Sequence, residues 1–457
     1  MYCQTTNGGL MKSVWSISLG LFLLVFVAHA QPTKPLTLDE CIQIALKNNV
    51  QIRVSKYQYL NARFDRRDAY RNILPTVSIN MGVARYERGP TSYLGNEYVG
   101  PGFPQLDRVV QSTDYSMGIS VSQNIYDGGF WWNSIRKGKV DEKAQEFNYE
   151  SERQKVIVTV MQNYFTLLKE TKLLEVDRQA MERSKEQLER AQSMYEVGSV
   201  SKVDVYKARV NLGNDRIQYI NQENRVRKAR QDLNIAMGRN PDEPLEIVTD
   251  IEFTKHMVEL DSLYKVALER NPTLKKYELD RRSAELQVKL AGSRYFPQIS
   301  SFLSLNRRVP KRDGLFKEFD REYTYNVGIS LRWNLFNGFS DYLQRQKAKV
   351  NAMIVQEQMN DYQRNLLGTV KALYDNLRAY DEIIRINREN LEAAREEYRL
   401  ALERYRVGNG TAIELREAQV NLTRAEQVLV STEYDAIITY AQLQEAIGKL
   451  SDTYVGE

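Results

Sequence analysis

The sequence predicts an α plus membrane β-barrel protein, built from a duplicated helix–β-hairpin–helix unit. Three observations predict it. The chain repeats itself on the scale of a domain, it holds very long helix-like stretches, and between these lie four segments of alternating apolar and small polar residues.

The repeat is the first of these. "YEVGSVSKVDVYKARVNL" (195–212) aligns without gaps on "YRVGNGTAIELREAQVNL" (405–422), a step of 210 positions. "DYSMGISVSQNIYDGG" (114–129) falls on "TYNVGISLRWNLFNGF" (324–339) at the same step. Earlier in the chain, "IALKNN" (44–49) matches "VALERN" (266–271) and "LPTVS" (74–78) matches "FPQIS" (296–300), at a step of 222. The difference is an extra Gly-, Tyr- and Pro-rich piece in the first copy, "TSYLGNEYVGPGFP" (91–104). A period this long means two copies of a domain-sized unit, not a short-repeat solenoid. The predicted organisation is a signal segment (1–30), a first repeat (31–250) and a second repeat (251–457).

Each copy opens on a predicted helix (38–72 and 259–293) that Pro75 or Pro297 stops. A β-hairpin follows (76–126 and 298–336), then a long helix (129–196 and 339–406), a short break (197–200 and 407–410) and a last helix (201–237 and 411–447). The long helices span roughly 100 Å at the rise of an α-helix. Leu373, Leu377, Tyr380 and Ile384, then Leu391, Ala394, Tyr398, Leu402 and Tyr405, step at coiled-coil spacing, with Asn387 as a polar interruption. An ordinary bundle core fits that seam equally well.

In 115–125, Tyr115, Met117, Ile119, Val121 and Ile125 share one face, against Ser116, Gly118, Ser120, Ser122 and Asn124. In 323–335, tyrosines, Val327, Ile329, Leu331, Trp333 and Leu335 oppose Thr324, Asn326, Gly328, Ser330, Arg332 and Asn334. The partner segments 77–83 and 299–305 alternate less cleanly, because Phe302 falls on the polar face. Such lengths suit a tilted transmembrane strand with a wet lumen side. A soluble antiparallel sheet is the rival reading, but no remaining segment looks free to cover its aromatic face. Four strands cannot close a barrel, and an open edge cannot lie in lipid. Several chains must then share one barrel, most simply a homotrimer with twelve strands.

Lys12, the apolar run Leu19–Val27 and "AHA" (28–30) have the form of a secretory signal. Met11 suits its start. The mature chain would keep one cysteine, Cys41, and no intrachain disulfide; no cysteine follows the apolar run at a lipidation position, which argues against a lipid anchor. After Gln31 no apolar run is long enough for a transmembrane helix.

The near balance of Lys+Arg 64 against Asp+Glu 59 offers no basic face for nucleic acid. An enzyme is not expected. The mature chain holds one histidine, His256, and neither a zinc motif, a nucleophile elbow nor a phosphate-binding glycine loop. No cofactor or metal is predicted. A secreted coiled-coil scaffold is the alternative; it explains the helices and not the strands.

"LTLDECIQIALKNN" (36–49), Pro75 and Pro297 before the strands, "NIYDGG" (124–129) and "NLFNGF" (334–339) after them, and the two "VG" breaks occur in an order that resembles the TolC family of outer-membrane efflux channels. The resemblance spans essentially the whole mature chain. It implies a homotrimer with a shared barrel in outer-membrane lipid and a helical tunnel across the periplasm. It implies a passive exit duct, served by an inner-membrane pump and a periplasmic adaptor that docks at the tips, here Val197-Gly198 and Val407-Gly408. It also places tunnel-gate candidates at Asp204, Tyr405, Glu414 and Glu417. The family's gate arginine has no counterpart, because that position is Gly410. An acidic ring of Asp204, Glu414 and Glu417 would favour cations. The residues themselves leave a plainer account open. Ser201 with Asp204, and Thr411 with Glu414, have the spacing of helix-capping boxes, whereas Glu417 lies one turn beyond.

Overall fold

The computed structural model describes residues 35–88, 110–249, 258–317 and 320–450. The signal segment, most of the enlarged first hairpin loop and His256 lie outside these residues.

The order of elements is α1 (Leu38–Asn48), α2 (Val50–Asp68), β1 (Thr76–Arg88), β2 (Val110–Tyr126), α3 (Phe130–Glu196) and α4 (Lys202–Ala236). It then recurs as α5 (Leu260–Arg270), α6 (Pro272–Gly292), β3 (Gln298–Val309), β4 (Tyr323–Arg332), α7 (Ser340–Arg406) and α8 (Ala412–Ala446).

The single opening helix expected in each copy is in fact two. Asn49 ends α1 with extended backbone and starts α2, its side chain accepting from the Gln51 amide. Asn271 does the same between α5 and α6, with Pro272 in the first turn and the Leu274 amide as donor. Both asparagines also donate across the fold, to the carbonyls of Ala236 and Ala446 at 2.9 and 3.0 Å. The "N-N" and "N-P" pairs are joints pinned to the last turn of the second helix hairpin arm. Before each proline the chain tightens into a 3₁₀ turn (69–73 and 293–295), so both α-helices stop short of the expected points.

The four strands form one antiparallel sheet in the order β1-β2-β3-β4, leaving β1 and β4 as open edges. Three strands run past the expected ends, whereas β4 stops at Arg332, so Trp333 and Leu335 leave the ladder. Registers stack Val77, Val121 and Leu303 on one face, and Ser78, Ser120 and Ser304 on the other. Ser78 and Ser120 hydroxyls bond at 2.7 Å on that polar face. Phe302 does lie on the polar face. It pairs with Gly328, and a Cβ at Gly328 would meet the phenyl ring at 2.7 Å. The glycine makes room for the exceptional side chain.

Helix α3 is the centre of the helical body, packed by α2, α4, α6 and α8, while α7 packs on α5, α6 and α8. The main core joins α1, α3, α4 and the end of α8 through Ile42, Tyr164, Phe165, Leu168, Leu233 and Met237. A second core joins α5, α7 and α8 through Leu263, Val370, Leu377 and Ile447. Beyond it, Leu391 and Ala394 of α7 meet Leu422 of α8. The seam read in α7 thus faces α8, and Asn387 donates to Thr432 of α8 at 3.2 Å. None of the helices among the described residues is long and apolar enough to cross a membrane.

Candidate functional site at the helix tips

Both long helices end by the same backbone device. Gly198 and Gly408 adopt φ of 76° and 80°, a left-handed conformation that glycine reaches without a steric cost. The Gly198 amide donates to Tyr195 O and the Ser199 amide to Met194 O; Gly408 and Asn409 donate likewise to Tyr405 O and Arg404 O. This double closure satisfies the last carbonyls of each helix. Val197 and Val407 stand out from the tips, 77% and 71% exposed.

The next helices start on reciprocal caps. Ser201 Oγ accepts from the Asp204 amide while the Asp204 carboxylate accepts from the Ser201 amide, and Thr411 with Glu414 does the same. The Ser201 hydroxyl also donates to Asp204 at 2.7 Å. These bonds hold the Asp204 carboxyl below the ordinary range.

A cleft of about 590 Å³ opens between α3, α4, the end of α7 and the start of α8. Asp204, Tyr405 and Glu417 line it together. Burial pushes the Tyr405 phenol up, and the neighbouring Asp204 carboxylate adds to the effect. Glu414 is not brought into the cleft; its carboxylate lies 3.7 Å from Arg404. Lys207, Arg416 and Arg424 share the lining, so within one chain the wall is of mixed charge rather than acidic. Backbone crowds position 410, where a Cβ would lie 3.0 Å from the Tyr405 nitrogen.

The strongest polar contact behind the cleft was not among the sequence candidates. Arg416 of α8 donates to both carboxylate oxygens of Asp215 on α4, at 2.7 and 2.9 Å. Ser184 of α3 donates to the same carboxylate, and Gln419 donates to Ser184 at 2.9 Å. The ion-pair side chains are only 22% and 15% exposed, and a paired, forked geometry is the form in which such a pair counts. It fastens α8, from the second repeat, onto α3 and α4 of the first. The contact continues along α3 and α8 as a polar seam: Arg183 reaches Thr423 and Glu426, Gln427 donates to Asp177 at 2.6 Å, and Lys169 donates to Asp435 at 2.9 Å. A signal for the clamp existed in the repeat. At the step of 210, Arg416 stands where the first copy has Tyr206, and Asp215 where the second has Ala425. Opposite charges stand at two positions where the copies differ.

Residues 41–239 and 263–449 match the family of outer membrane efflux proteins. The chain is 22% identical over 453 residues to outer membrane protein TolC of Escherichia coli, covering 97% of this chain and 87% of that protein. It is 23% identical over 429 residues to a probable efflux pump outer membrane protein, TtgC, of Pseudomonas putida, covering 90% and 82%. In fold it is similar to the CmeC outer membrane channel of Campylobacter jejuni, with a TM-score of 0.82 at 18% identity over 97% of this chain and 94% of that one. The match takes in both helix pairs, both hairpins and both tips, and the chain belongs to the outer membrane efflux protein family, as an exit duct of the outer membrane with its helices in the periplasm.

Proposed function

We propose that three copies of this chain close one twelve-stranded barrel and one helical tunnel, and that the assembly takes cargo from an inner-membrane pump through a periplasmic adaptor seated on the tips at Val197-Gly198 and Val407-Gly408. The observation that carries this reading is the sheet. Its apolar face is exposed along Ile79, Met81, Val327 and Ile329, and β1 and β4 are unpaired in the single chain. In lipid an unpaired edge is too costly to persist, so each edge needs the opposite edge of another copy. The chain acts as a conduit and catalyses nothing. Organised as two repeats after a removed signal segment, it gives each assembly six tips. In this reading Asp204, Tyr405, Glu414 and Glu417 surround the closing end, and the Arg416–Asp215 pair holds it shut from behind.

Extraction and electrophysiology test the proposal. The protein should require detergent for recovery, crosslink as three chains, and give discrete conductance steps in planar bilayers. Recovery in a detergent-free periplasmic fraction would sink it. For the gate, Asp204, Glu414 and Glu417 replaced together by alanine should lower cation preference; unchanged selectivity would leave the first two as helix caps alone.

A further inference from the structure

The connection from β3 to β4 lies on the lipid side of the sheet. In β3, Leu305 pairs with Ile119, Arg307 with Met117 and Val309 with Tyr115, so Arg307 and Val309 stand on the apolar face. Arg307 is nonetheless 6% exposed. Its guanidinium donates to the carbonyl of Gly314 at 2.8 Å and to that of Lys317. Gly314 sits on the Val309 side chain, where an added Cβ would be 3.4 Å from the Val309 Cβ, and Leu315 is buried. Residues 310–317 therefore lie flat against the outside of the wall instead of across its mouth. The buried cation on the outer face is held by two backbone carbonyls of this segment, both bonded through one guanidinium nitrogen.

The level of the segment is also defined. Arg307 pairs with Tyr323. Tyr323 and Tyr325 begin the apolar face of β4, and Trp333 follows one residue past the strand's other end, its ring nitrogen donating to Tyr295 O at 3.1 Å. Aromatic residues at the two ends of an apolar band mark the headgroup zones. The segment thus lies at the headgroup zone away from the helices, which is the outer leaflet. There it exposes Lys311, Arg312, Phe316 and Lys317. Asp313 is the one acidic residue among 310–317, and Glu318, Asp320 and Glu322 follow before β4. Among the described residues, none of these three cations has a carboxylate within the 4.0 Å ion-pair distance.

We propose that this segment is a binding surface for phosphate groups on outer-leaflet lipid headgroups, with Lys311, Arg312 and Lys317 as donors and Phe316 seated among the acyl chains. Arginine and lysine suit phosphate oxygens, the first through its fork and the second as a point charge. Phe316 on the same surface selects a lipid over a phosphate free in water. The inference rests on the outer-membrane placement of the sheet and not on the gate or the cargo.

The test compares binding of a bis-phosphorylated lipid A with the same lipid after removal of its phosphates, to the purified protein in neutral detergent. Native mass spectrometry counts bound lipid, and thermal shift gives the affinity. Wild-type protein should bind the phosphorylated lipid alone, more weakly as salt rises. Lys311→Gln, Arg312→Gln and Lys317→Gln together should weaken it on the order of 100-fold, with bilayer conductance unchanged. Equal binding of the dephosphorylated lipid, or an unaffected triple variant, overturns the proposal, as does protection by inorganic phosphate equal to that by lipid. Should the triple variant fail to insert, Lys317→Gln alone and the salt titration of wild-type protein decide it. Loss of conductance with phosphate-dependent binding intact would count against the duct reading only.

Discussion

Helices α3 and α7 occupy the same place in the two repeats and are equally long, 67 residues each, yet α3 buries eighteen side chains and α7 five. Local sequence does not explain the gap, since both carry apolar residues along their length. Position does. α3 has neighbours from both repeats, whereas one flank of α7 carries Leu343, Val350, Met353 and Ile354 into solvent. On the far side of the molecule, α2 and α4 expose Val50, Val54, Val210 and Ile217 in the same way. A single chain is a slab with a finished middle and two unfinished apolar edges, and the sheet repeats the pattern in its open β1 and β4. Patches of this extent belong to interfaces.

Shortening a side chain on each helix separates the two environments. Leu168→Ala in α3 should cost about 2–5 kcal/mol in unfolding of isolated chain and assembly alike. Met353→Ala in α7 should be close to neutral in the isolated chain and should weaken only the assembly, seen as dissociation at lower detergent or temperature. Equal behaviour of the two variants would break the comparison.

The joint between the repeats comes next. Arg416→Ala leaves Asp215, in a mostly buried setting, without its ion-pair partner and with the Ser184 hydroxyl still donating to it, and should cost about 2 kcal/mol. Asp215→Ala should cost a similar amount, and the double variant little more than either, as a double-mutant cycle by thermal unfolding will register. Within the seam, Asp177 is buried with Gln427 as its donor. Burial pushes its carboxyl up, against the lowering effect of that bond. The raised folded pKa means that its contribution to stability is full below the unfolded value and is lost as pH rises through the folded one. Asp177→Asn should therefore stabilise the protein at neutral pH and flatten its stability profile in the acidic range, followed by melting across pH. The smallest effect belongs to the caps. Ser201→Ala and Thr411→Ala should each cost about 1 kcal/mol locally, read as faster amide exchange in the first turns of α4 and α8.

The strands, the long helices and the tips were legible in the sequence because each depends on local pattern: alternation for the sheet, periodicity for the helices, glycine at a left-handed position for the tips. The joints at Asn49 and Asn271 were not, because an asparagine within a helical pattern reads as a weak helix former until its partners, Ala236 O and Ala446 O, are brought from far along the chain. Arg307 was hidden for the same reason; its fitness for the outer face depends on carbonyls of a folded-back segment. Among the gate candidates, the caps of Asp204 and Glu414 were readable from spacing. That Glu414 turns to Arg404 while Glu417 shares the cleft with Asp204 and Tyr405 depended on how α7 and α8 meet.

The pairing of Arg416 with Asp215 also says something about inheritance. Identical units in a ring must carry every substitution at every site, so an arginine on one face arrives together with an arginine on all its equivalents. Joining two units in one gene frees the copies to change separately. At its tip the chain carries a positive charge in one copy and the negative counterpart in the other, with Tyr206 and Ala425 at the matching positions.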